Sequence, residues 1–230
     1  FDGAGNLQQI GLDPIDAMGE SLWSSDGWMV PLSWGFDWFD ESNGTFNLNN
    51  EQMVDYLETV KQFIDVIGID NLTGMRQVEG QGSWGASFNA EVQAALIEGY
   101  WHPGETAVEK PEILPYNRAT WLPVPDSRKG AKVQGAGGHM VMIFDGSPNA
   151  ELMYKVTEFL NTNAACDILF KQVGWLPAYR PYLATVDTTA YPGLEFYFDS
   201  YDEATEFGIP EKCPITSFVG SVFGEVRERY

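Results

Sequence analysis

Cysteine is nearly absent from this 230-residue sequence: Cys166 and Cys213 stand 47 residues apart and are the two present. Small disulfide-built scaffolds carry several bridges, so that class is excluded. One bridge between the two, or two unpaired thiols with Cys166 buried on a helix, both stay open. Neither cysteine belongs to a CxxC pair and only two histidines exist, which excludes a Cys/His zinc centre. Cations are also scarce. Thirteen Lys and Arg against thirty-three Asp and Glu leave a formal net charge of −20. A surplus of that size repels phosphate backbones and anionic lipid heads, so nucleic acid and membrane surfaces are not expected partners. No run approaches the ~20 apolar residues that span a bilayer. The GxSxG elbow, HExxH, the Walker loop and a GxGxxG opening a helix are all missing.

What the chain has is aromatic and glycine-rich. Aromatic residues make up 14% of it, with eight tryptophans and 24 glycines. A chain of this length buries roughly 70% of its unfolded surface, ample for a hydrophobic core. Residues 7–40 crowd Trp23, Trp28, Trp34, Phe36, Trp38 and Phe39 among Gly, Ser, Asp and Pro, which suits short strands and loops. After the Asn43-Gly44-Thr45 turn, Asn49 or Asn50 caps an amphipathic helix to about Ile67. Met53, Tyr56, Leu57, Val60, Phe63, Ile64 and Ile67 form its buried stripe, and Gly68 stops it.

Further along, Phe88–Ile97 is a shorter apolar segment, and five prolines between Pro103 and Pro125 predict extended chain. Met140-Val141-Met142-Ile143-Phe144 predicts a buried strand. Ser147-Pro148 opens a third helix with Leu152, Val156, Phe159 and Leu160 inward, and a separate helix runs through Cys166, Leu169 and Phe170. Short helices near 194–207 and 216–229 follow. Helices alternating with short strands predict an α/β class. The chain opens on Phe1 and an Asp2–Asn6 turn and stops inside a helical pattern at Arg227–Tyr230, which reads as a piece of a longer chain.

Thirty-three carboxylates ensure that some pair lies close in space, so an acid/base pair of glycosidase type is always available. None sits in a motif that singles it out. Asp2–Leu7 lacks the acids of a calcium loop, and His139 reads as a surface or packed histidine. The tryptophans say more, because several adjoin glycine: Trp34-Gly35, Trp84-Gly85, Gly99-Tyr100-Trp101 and Gly174-Trp175. An indole in such a loop can present its face to the C–H patches of a pyranose ring. A buried core role remains the commoner fate of any one tryptophan.

The order of these segments resembles the extracellular solute-binding proteins of family 1, the sugar-capturing components of ABC importers. The resemblance runs from Asp2 to about Arg180. It rests on the Asp2–Asn6 turn before Ile10-Gly11-Leu12, on Trp34-Gly35-Phe36-Asp37, and on Phe46–Asn50 opening a helix. It continues through Phe88–Trp101 with its Gly-x-Trp, Leu122-Pro123-Val124-Pro125, Gly137-Gly138-His139 before Ser147-Pro148-Asn149-Ala150, and Gly174-Trp175-Leu176-Pro177-Ala178. One departure is Asn89-Ala90-Glu91, where the family usually has Gly-Lys.

The resemblance implies an α/β, periplasmic-binding-protein-like (type II) two-lobed fold with much of the N-terminal lobe missing. The second lobe would lie mainly in about 13–100 and 125–230, with returning segments of the first. It implies sugar or oligosaccharide capture without catalysis, cofactor or metal, and delivery to ABC transporter permease subunits. The protein would be an extracytoplasmic, lipid-anchored monomer that binds no nucleic acid. The implied ligand residues are Trp34, Asp37, Trp84, Trp101, Gly137, Gly138 and Trp175, with Trp101 and Trp175 as stacking platforms. The runner-up readings are a secreted carbohydrate-active enzyme using paired carboxylates and a non-catalytic carbohydrate-binding surface module.

Overall fold

A computed structural model describes residues 1–14, 29–75, 86–135, 140–209, 212–227 and 229. Along the chain the elements are α1 (Met29–Ser33), β1 (Phe39–Asp40), β2 (Thr45–Phe46), α2 (Glu51–Ile67), α3 (Ile69–Met75) and α4 (Ala86–Asn89). Then come α5 (His102–Glu109), β3 (Val133–Gly135), α6 (Ala150–Leu160), α7 (Asn163–Val173), α8 (Arg180–Leu183), α9 (Leu194–Asp199), β4 (Glu206–Gly208) and α10 (Thr216–Arg227). They divide into two units. The first comprises Phe1–Glu98, Thr120–Gly137 and Ser200–Tyr230, and the second comprises Gly99–Ala119 and Gly138–Asp199.

The first unit is organised by α2. Asn50 Oδ1 accepts the Met53 amide at 2.9 Å, capping the helix, and Gly68 ends it at φ 89° while returning its own N–H to Ile64. Met53, Tyr56, Leu57 and Val60 face a core shared with Val30, Trp34, Phe36, Trp38 and Val219. Phe63, expected in that stripe, is 40% exposed instead. After the single helical turn of α1 the chain turns at Trp34-Gly35, and Phe36 and Trp38 are buried in the core. β1 and β2 pair antiparallel across the Asn43-Gly44 turn, and β3 and β4 pair parallel over three residues. Gly208 lets α1 lie against β4, since a Cβ there would stand 2.5 Å from Leu32 Cδ1. Ile10 forms one isolated parallel bridge to Gln93.

The second unit, among the described residues, contains no strand. Its core is Cys166 and Phe170 of α7, Tyr182 of α8 and Leu194 of α9, with Tyr191 edge-on to Phe170 at 5.2 Å. Thr162 caps α7 by accepting the Ala165 amide, and Gly174 closes it in the left-handed conformation at φ 70°. The stretch read as extended by its prolines starts as α5, because Pro103 falls in the first helical turn, where its missing N–H costs nothing. Both cysteines are free thiols.

These observations correct the α/β, two-lobed periplasmic-binding-protein-like expectation, and with it the resemblance to the solute-binding family. Among the described residues the chain is mostly helical, and its sheets are two open pairs of strands two or three residues long. Among the described residues neither unit holds the sheet on which such a lobe is built. The physical cause is clearest at Met140–Phe144. That segment is apolar enough for a central strand, yet no strand among the described residues pairs with it, and Met140 and Phe144 are 82% and 81% exposed. α6 differs in the same way: it forms, starting at Ala150 after Asn149, but buries none of its residues.

Candidate functional site

Two half-exposed indoles in the second unit, Trp101 and Trp175, are set by one local construction. Trp101 occupies the N-cap position of α5 and Trp175 follows the glycine that ends α7. α5 and α7 meet through glycine. A Cβ on Gly104 would fall 2.5 Å from Val173 O and closer still to the Gly174 backbone, inside the 3.0 Å that real Cβ atoms respect. The Tyr100 hydroxyl then donates to Leu176 O at 3.2 Å. The segment carrying Trp101 is thus tied at two points to the segment carrying Trp175.

The Trp101 ring lies over Gly99, where any side chain would strike it, and stands edge-on to Tyr100 with ring centroids 5.3 Å apart. After these contacts Trp101 keeps 38% of its surface exposed and Trp175 keeps 37%.

Behind Trp101 the first turn of α5 is buried and polar. His102, Glu105 and Thr106 are all buried. The His102 Nδ1 atom stands 3.9 Å from Glu105 Oε2, and Nε2 stands 3.4 Å from Thr106 Oγ1. Loss of hydration holds the imidazole neutral, its pKa lowered to about 4. Burial likewise raises the Tyr100 phenol, against the smaller opposing effect of its bond to Leu176.

The other expected ligand residues are placed differently. Trp34 is 6% exposed and packs edge-on to Tyr56 at 5.5 Å in the first-unit core. Its remaining rim helps line a cleft of about 340 Å³ with Gly35, Glu51, Gln52, Asp55, Ser127 and Arg128. Arg128 donates to Leu32 O at 3.1 Å and Ser33 O at 2.6 Å, capping the last carbonyls of α1, and pairs with Glu206. Asp37 is exposed and accepts from Lys212 Nζ at 2.6 Å. Trp84, Gly137 and Gly138 lie outside the described residues.

Among the described residues, no group of three or more His, Cys, Asp or Glu side chains converges as a metal site, and no helix is long and apolar enough to cross a membrane. Comparison with family models, with curated proteins and with solved structures finds no match to this chain. Capture of a sugar between two closing lobes and its delivery to an importer therefore falls with the fold that implied it.

The sequence reading picked out Trp101 and Trp175 but missed what holds them. Tyr100, Gly104 and the role of Gly99 were carried by no local signal except the Gly99-Tyr100-Trp101 run itself. Glu51 and Asp55 were also passed over, although their i, i+4 spacing puts them on one face of α2.

Proposed function

We propose that this protein binds carbohydrate without transforming it, with Trp101 and Trp175 as the stacking surface. The observation behind this reading is that both indoles keep more than a third of their surface in water while their backbones are fixed to one another. The Trp101 ring, set over Gly99 and edge-on to Tyr100, has few rotamers left to lose on binding, so less of its stacking energy is spent on ordering. Two exposed indoles on segments tied to one another suit an oligosaccharide better than a single sugar.

Binding without catalysis is favoured by the surroundings of the carboxylates in the first-unit cleft. Glu51 and Asp55 are both exposed to solvent and share one environment. Acid/base pairs work through unlike environments, one carboxyl shielded and its partner solvated.

Calorimetric titration with short soluble β- and α-linked glucans, xylans and mannans tests the reading. One class is expected to bind, and Trp101→Ala or Trp175→Ala each to weaken it at least tenfold, about 1.4 kcal/mol. Gly99→Ala should weaken the same ligand by displacing the Trp101 ring. Heat from no glycan, or an affinity unchanged in both tryptophan variants, would remove these residues from any sugar site. Release of reducing ends from the bound glycan would show turnover and favour the enzyme reading.

A further inference from the structure

We propose that the chain forms a twofold dimer through the apolar face made by Met140–Phe144 and α6. This inference is independent of the carbohydrate reading. The face is unusually bare: Met140, Met142 and Phe144 are 82%, 70% and 81% exposed, and Leu152, Val156 and Phe159 of α6 are 60%, 42% and 51% exposed. A turn over Asp145–Asn149 joins the two parts, with Gly146 at φ 76°. The helix residues recur at the four- and three-residue spacing of one helical stripe, and none of the residues of α6 is fully buried.

Area argues for a second copy. A large side chain presents roughly 150–200 Å² when free, so these six expose on the order of 700 Å². Ordinary monomers tolerate patches of roughly 300–600 Å², whereas a stable dimer removes about 800 Å² from each partner.

The backbone argues the same way. Among the described residues, Met140–Ile143 make no backbone hydrogen bond, and Phe144 accepts only from the Ser147 amide. An apolar segment whose backbone is unpaired among the described residues is open to pairing with another strand. Antiparallel pairing with its own twofold copy would pair one edge of each segment through a single isologous contact. Met140–Phe144 carries no charge, so the repulsion between two chains of −20 is not concentrated at the seam. α6 adds Glu151, Lys155 and Glu158, of which the first two pair at 3.6 Å.

Sedimentation equilibrium of the 230-residue chain tests this directly. The mass is expected to rise from 25.6 kDa toward twice that value with concentration, and more completely as salt screens the net charge. Met142→Lys puts a charge on the seam and Val141→Pro removes a strand donor. Each should weaken the dimer at least tenfold while leaving the circular dichroism unchanged, because both side chains already face water. Trp101→Ala should not alter the mass.

A chain that stays at 25.6 kDa at every concentration and salt would overturn the proposal. So would a dimer insensitive to both variants, or open-ended aggregates in place of a closed pair. A constant monomer whose binding of an apolar dye is lost with Met142→Lys would assign the face to a different protein and equally overturn it.

Discussion

Gly104→Ala is expected to destabilise the second unit by about 2–4 kcal/mol, although alanine is the better helix former by up to ~1 kcal/mol. The sign follows from what the new Cβ meets. It would fall 2.5 Å from Val173 O and nearer still to Gly174, and both neighbours are backbone that cannot rotate away. α5 and α7 must separate instead. Overpacking of this kind costs roughly 1–3 kcal/mol by itself. The separation would also stretch the Tyr100–Leu176 hydrogen bond, worth about 1 kcal/mol more.

Gly74→Ala in α3 is the matched control, because nothing lies within 4 Å of a Cβ there. It should be neutral or mildly stabilising. Urea unfolding followed by tryptophan fluorescence compares the two variants, and Gly104→Ala within about 0.5 kcal/mol of the parent would mean that the helix contact is loose. Since Trp101 and Trp175 flank that contact, Gly104→Ala should also weaken any ligand they bind, and Gly74→Ala should not.

Stability should fall as the pH drops from about 6.5 to about 4, chiefly through His102. Its pKa is lowered from 6.5 to about 4 by loss of hydration. Within that window the unfolded chain takes a proton that the folded imidazole refuses, so acid favours unfolding. Above it both states are neutral at this residue, and below it both are protonated, so the loss stops growing. The interval corresponds to a loss of up to about 3 kcal/mol. Glu105, 3.9 Å from Nδ1, would favour the imidazolium and works against the full amount.

Asp2, Asp40 and Asp187 have pKa values held down, first by side-chain hydrogen bonds from Asn6, Ser42 and Thr189 respectively. Their contribution is present above the ordinary carboxylate value of 3.8 and disappears as the pH falls through their lowered values, outside the His102 window. Urea midpoints at about pH 7.5 and 4.5, taken for the parent and for His102→Gln, isolate the residue. The slope between the two pH values should flatten in the variant. An equal fall in both chains would place the acid sensitivity elsewhere.

How much could be read in advance depends on how far each signal reaches along the chain. α2 was legible almost to the residue, since its cap at Asn50 and its stop at Gly68 are set by atoms a few positions away. The same holds for the Asn43-Gly44 turn, for the separate helix through Cys166 and Phe170, and for α10. Pro103 was misread because proline forbids the interior of a helix but suits its first turn, and proline content alone does not say which applies. Met140–Phe144 and α6 were misread for a different reason. Their apolar pattern states a demand for burial, but the surface that would meet it is supplied by other parts of a fold, and the described residues leave these side chains exposed. The family resemblance rested on the order of motifs, and the fold it implied required segments such as Met140–Phe144 to join into sheets.

The sequence by itself determined the charge of −20, the exclusion of a Cys/His zinc centre and of several catalytic motifs, and the places where its capped helices begin and end. Tertiary structure decided which indoles are open. Trp34 went into the first-unit core beside Tyr56, while Trp101 and Trp175 stayed half in water. It also decided that Gly104 and Gly174, seventy positions apart, must both lack a side chain. Caps and turns are hydrogen bonds between near neighbours, so local order is enough to specify them. Whether a ring is covered, or a glycine crowded, depends on atoms brought in from distant parts of the chain, and those are located only once it has folded.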